Sequence, residues 1–129
     1  MILSAHQTEM IDITVTVTNI NTMSGNIHVG LFNTSKHFLI EGKEYQTSSK
    51  KVEDDSIVIV LNDIPKGNYA ISLYHDINAD KECNLNFFGA PVEPFGFSNN
   101  YRPIISKPSF DDCKINANRD LEVWIKLID

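Results

Sequence analysis

From Met10 onward the chain alternates with a period of two: Ile11, Ile13, Val15 and Val17 share one face, Asp12, Thr14, Thr16 and Thr18 the other. Alternation of β-branched residues describes a strand with one buried face. Ser24-Gly25-Asn26 is a turn signal, after which Ile27, Val29 and Leu31 alternate with His28, Gly30 and Phe32. This second strand is expected to be the hairpin partner of the first. Residues 33–55 are polar, with an edge strand expected around 45–52, where Lys50 and Lys51 would discourage edge-to-edge pairing. Residues 57–61 are continuously apolar and predict a strand buried on both faces, and residues 62–67 read as a turn. A strand over 68–75 turns Tyr69, Ile71 and Leu73 one way. Cys113 and Ile115 open another, and Leu121, Val123, Ile125 and Leu127 alternate with Glu122, Trp124 and Lys126 at the end.

No segment carries helical periodicity. Six or seven short strands separated by turns predict an all-β protein, an antiparallel β-sandwich of immunoglobulin-like or prealbumin-like form. One domain over residues 10–129 accounts for the pattern, with residues 1–9 as a flexible lead-in. Tyr69, just inside a strand after Pro65-Lys66-Gly67, suits a ring in the core whose hydroxyl ties the corner.

Composition narrows the function classes. A formal charge of −6 with scattered basic residues argues against nucleic acid as a partner. No apolar run approaches the ~18 residues of a membrane span. The first ten residues lack the basic and apolar regions of a signal peptide, which leaves a cytosolic chain or a processed exported one. Cys83 and Cys113 are compatible with a disulfide in an oxidising compartment, or with two small buried hydrophobes.

Residues 76–112 break the strand pattern. They hold half of the aromatic residues and four of the five prolines, which predicts an ordered, irregular cap on the sandwich. Its first part places oxygen side chains at alternate positions: Asp76, Asn78 and Asp80, then Glu82, Asn84 and Asn86. Such spacing suits a hard cation such as calcium, with Glu93 as a remote carboxylate completing the shell. Lys81 and Phe87 depart from the EF-hand loop, which needs glycine and glutamate there. Asx turns without metal are the alternative reading. His75 with Asp76 and Glu93 is a weaker transition-metal constellation.

The second part, residues 93–100, mixes Phe95 and Phe97 with Asn99 and Asn100. With His75 these residues make a candidate ligand or partner surface, because aromatic faces beside amides and carboxylates line small polar-ligand and glycan sites. Alternatively, the phenylalanines anchor the loop and the asparagines cap backbone groups. A Ser-His-Asp triad from Ser98, His75 and Asp76 lacks a nucleophile elbow, and neighbours on a strand face opposite ways.

Three segments carry a family resemblance: Ile-Pro-Lys-Gly-Asn-Tyr-Ala-Ile-Ser-Leu-Tyr-His-Asp-Ile-Asn-Ala-Asp (64–80), Asn-Phe-Phe-Gly-Ala-Pro-Val-Glu-Pro-Phe-Gly-Phe-Ser-Asn-Asn (86–100) and Lys-Pro-Ser-Phe-Asp-Asp (107–112). With the opening Ile-Thr-Val-Thr-Val-Thr and Val-Gly-Leu-Phe, the chain resembles domain of unknown function family 2141, small bacterial proteins without an assigned activity. The resemblance implies an exported protein, periplasmic or extracellular, whose signal has been removed. Family members often read Asp-x-Asn-x-Asn-Gly-x-Leu-Asp in the acidic loop. Here Asp76, Asn78 and Asp80 match, whereas Lys81, Cys83 and Asn84 replace the glycine, leucine and last aspartate.

Two functional expectations follow. The first is a non-enzymatic exported module, calcium-stabilised or self-capped at the acidic loop, with a glycan, a peptide or an envelope protein as partner. The second is a small metal-dependent hydrolase using His75, Asp76 and Glu93.

Overall fold

A computed structural model describes residues 9–78, 93–104 and 106–128. The strands among them are β1 (Met10–Thr18), β2 (Asn26–Phe32), β3 (Gln46–Lys51), β4 (Ile57–Pro65), β5 (Gly67–Asp76), β6 (Phe95–Phe97), β7 (Ile115–Ala117) and β8 (Leu121–Lys126). One turn of helix, α1 (Phe110–Cys113), precedes β7. The strands form two sheets, ordered β4-β1-β8 and β3-β2-β5-β6, with β7 paired beside β6 on β5.

The alternation expected of β1 is present, with Ile13, Val15 and Val17 fully buried. They meet Ile27, Val29, Leu31, Ile71, Leu73 and Ile125 in one core between the sheets. Each such side chain removed from water contributes roughly 1.5–3 kcal/mol before conformational entropy is set against it. The fold is therefore an all-β sandwich.

Four local expectations change. Cys113 does not open a strand: it closes helix α1, whose capping box starts a helical turn, and β7 begins only at Ile115. β1 and β2 are not a hairpin: β1 pairs with β4 and β8, while β2 pairs with β3 and β5. Their apolar faces oppose each other across the core, and the link between them carries the chain over, with Ile20 buried beneath it. β4 is not buried on both faces, since Val58 and Val60 are 44% and 43% exposed. It also runs on to Pro65, past a register shift opposite Ile11 and Ile13 and a left-handed Asp63 (φ 57°). The β1–β8 pair is parallel, from Ile13–Leu121 to Thr18–Lys126, whereas the other strand pairs are antiparallel.

The five-stranded sheet also carries a second core on its outer face. Phe32, Ala70, Phe97, Phe110 and Cys113 are buried there, with Phe38, Leu39, Phe95 and Tyr101 packed around them. Phe38 meets Phe32 and Phe110 edge-on, with ring centroids 5.3 and 6.0 Å apart. Edge-to-face contact is a favoured arrangement for aromatic rings. Phe95, Phe97, Tyr101 and Phe110 of the long loop are thus part of what holds it to the sheet.

The Tyr69 ring is buried in the main core and its hydroxyl donates to the Pro65 carbonyl oxygen. Replacing Tyr69 with Phe keeps the ring and strands that carbonyl. We expect a loss of about 1 kcal/mol, read as a lower urea midpoint at unchanged denaturant slope.

Candidate functional site

The end of β5 delivers His75 and Asp76 to opposite faces, as neighbouring strand residues must be. His75 continues the inward row of Tyr69, Ile71 and Leu73 and has no solvent exposure. Its Nε2 lies 2.7 Å from the Ser24 carbonyl oxygen, so this nitrogen carries the proton. Its Nδ1 is buried without a hydrogen-bond partner among the described residues. Asp76 is also fully buried, and its Oδ2 lies 3.1 Å from His28 Nε2. The other His28 nitrogen meets the hydroxyl of Ser49, its register partner on β3. The His28 ring also packs 5.1 Å from Tyr74, its neighbour on β5.

Glu93 closes the root of the acidic loop from the far side. It is 8% exposed, and its Oε2 accepts from the Ile77 amide at 2.8 Å, while the His75 amide donates to the Pro94 carbonyl at 2.8 Å. The two ends of the loop are therefore held together through Ile77 and His75. Gly25 fits against this root: its φ is +71°, and a Cβ there would sit 1.9 Å from the Asp76 carbonyl oxygen. Only glycine tolerates that approach. Asn78 is exposed where the loop departs. The expectations for Asp80, Glu82, Cys83 and Asn84 lie outside the described residues. Among the described residues, no group of three or more His, Cys, Asp or Glu side chains stands close enough to hold a metal ion.

Ser98, Asn99 and Asn100 follow β6 and fill gaps in two sheets. Along one side of β5, β7 pairs with residues 67–69 and β6 with residues 72–74. Ile71 falls between them, and its amide donates to Ser98 Oγ at 2.9 Å. The same buried hydroxyl donates to the Cys113 carbonyl oxygen. Asn99 donates to the Lys114 carbonyl at 2.9 Å. Asn100 takes both roles of a β-strand residue toward β8: its Nδ2 donates to the Trp124 carbonyl at 3.1 Å, and its Oδ1 accepts from the Lys126 amide at 2.8 Å. Asn99 and Asn100 both adopt positive φ, 63° and 49°. Asparagine is among the few residues that enter this region readily, which accounts for two in succession.

Phe95 extends the link between sheets, exchanging both backbone hydrogen bonds with Ile128. Phe97 lies in the outer aromatic core, and Phe95 packs half-buried against it. Helix α1 begins with a capping box in which Ser109 and Asp112 bond each other's backbone amides. The hydrogen bond from the Ser109 amide holds the Asp112 carboxyl below its usual range, and the Asp112 charge pushes the Tyr101 phenol up. Cys113 is a free thiol buried on the outer core, where desolvation and the nearby Asp112 push it up to about 12.

The residue that sequence reading passed over is His28. Its alternation with Ile27 and Val29 put it on the outer face, but only the strand register brings it to Ser49, Tyr74 and Asp76. The sequence model of one family, described as uncharacterised proteins conserved in bacteria (DUF2141), matches residues 15–123. No curated protein and no solved structure matches the chain.

Because the Cys113 thiol is held neutral up to about 12, it favours the folded state below the thiol's unfolded pKa and loses that advantage as pH rises through 12. We expect the stability gap between the native chain and a Cys113→Ala variant to narrow between about pH 9 and 12. Denaturant unfolding at several pH values checks this.

Proposed function

The chain belongs to DUF2141, a bacterial family without an assigned activity, and from that premise we propose that it is a non-enzymatic binding or structural module that works outside the cytoplasm, with the acidic loop as its calcium-responsive element. The observation that supports this reading most is how the candidate side chains are used. His75 bonds the Ser24 carbonyl, Glu93 bonds the Ile77 amide, and Asp76 faces His28 on the opposite side of the strand from His75. Three groups engaged in this way serve the loop root and do not converge on a common reacting atom, as hydrolysis would demand. That disfavours the metal-dependent hydrolase built on His75, Asp76 and Glu93.

The calcium element rests on chemistry. Asp76 and Asn78 lead directly into Asp80, Glu82 and Asn84, and the loop that carries these oxygens has its two ends held together by Glu93 and Pro94. Clustered carboxylates repel one another, and a hard cation relieves that repulsion. The family resemblance is what supports the extracytoplasmic placement. A glycan, a peptide or an envelope protein is the partner class that suits such a module.

Thermal unfolding of chelator-treated protein tests the reading. Calcium at ~100 times its Kd should stabilise the fold by about 2.7 kcal/mol, raising the Tm by several degrees. The rise should saturate, exceed that given by magnesium, and disappear in an Asp80→Ala variant. No rise in millimolar calcium, or one matched by sodium chloride of equal ionic strength, would overturn the calcium element.

A further inference from the structure

A shallow cleft, largely open to solvent, lies between β7 and β8, on the side of the sandwich where the two sheets' edges face each other. Its volume is about 440 Å³, within the range of small-ligand sites. Ile115, Leu121 and Val123 supply an apolar floor that is continuous with the main core. The rim carries Asn99, Asn116, Glu122 and Trp124. Trp124 is the only tryptophan in the chain, and it stands 59% exposed on the outward row of β8.

We propose that this cleft binds a neutral oligosaccharide, stacked on the Trp124 indole, with its hydroxyls meeting the Asn116 amide and the Glu122 carboxylate. An exposed indole face takes the C–H face of a pyranose ring, and Glu122, on the same outward row of β8 as Trp124, offers a carboxylate to its hydroxyls. Charge favours a neutral ligand. The cleft carries one cation and one anion, Lys114 and Glu122, and Lys114 is already paired with Asp111 at 3.7 Å. A polyanionic glycan would further meet a chain whose net charge is −6.

A peptide strand added to the sheet edge is the other occupant that such a cleft suggests, and the geometry disfavours it. Asn100 already holds the Trp124 carbonyl and the Lys126 amide, two of the β8 backbone groups that an incoming strand would use. The amide thus occupies part of the edge that strand addition would need while leaving the indole exposed.

The inference rests on the binding half of the proposed function and is independent of the acidic loop, so the calcium and sugar experiments fail separately. Its test uses the single tryptophan as reporter. Native protein is titrated with cellotriose, chitotriose and maltotriose up to about 10 mM, which detects a Kd near 1 mM. We expect a saturable change in indole fluorescence with at least one of them, and none with glycerol at equal concentration. By calorimetry, Trp124→Ala and Glu122→Gln should each weaken binding of that sugar by about tenfold or more, at unchanged Tm, because both side chains are exposed. No saturable response to any of the three sugars would overturn the proposal. So would binding that survives Trp124→Ala undiminished.

Discussion

A β-sandwich leaves backbone donors and acceptors bare along its sheet edges, and these must be covered or they recruit other strands. On one side of this molecule the covering falls to three consecutive residues. Ser98 fills the gap in the β5 edge at Ile71, Asn99 holds the backbone after α1, and Asn100 stands in for a strand against β8. Phe95 and Ile128 exchange backbone bonds a few residues away, so the two sheets are joined along this side by main chain and amides together. Gly96 permits the crossing, since a Cβ there would lie 2.6 Å from Ile125 Cγ2.

This constraint gives the long loop its character. It leaves β5 at a root held by Glu93 and Pro94, returns as β6, clamps both sheets through residues 98–100, and lays Phe97 and Phe110 on the outer face before β7 begins. Among its described residues, Phe97, Phe110, Asn99 and Asn100 all go into fastening. Among the described residues, what the fastening leaves open is the Trp124 cleft beside Asn99.

Much of the sandwich was legible in the sequence because its main core is written in period-two alternation. Ile11–Val17 and the rows through Ile27, Tyr69 and Leu121 all fall on inward faces as read. The β1–β2 hairpin was misread because alternation says which face a residue occupies and nothing about which strand lies beside it. Val58 and Val60 were misread because β-branched residues suit an exposed strand face as well as a buried one. The second core was hidden for a similar reason: Phe32 and Ala70 sit next to inward-facing neighbours, and only the returning loop buries them. In the candidate site, the separation of His75 from Asp76 could be reasoned from strand geometry, and the capping by Asn99 and Asn100 stood as one of two readings. The link from Asp76 to His28 spans 48 residues of sequence and becomes visible only with the register.

Native-state hydrogen exchange at the Ile71 amide tests the clamp most directly, because in this edge position the amide's partner is the Ser98 hydroxyl. If residues 98–100 lock the two sheets, this proton exchanges only through global unfolding, with the full denaturant dependence of the unfolding transition. In a Ser98→Ala variant the same amide should exchange by local opening while the β1 amides stay protected. Fast, denaturant-independent exchange of Ile71 in the native chain would contradict the account and make the 98–100 segment a loosely held loop.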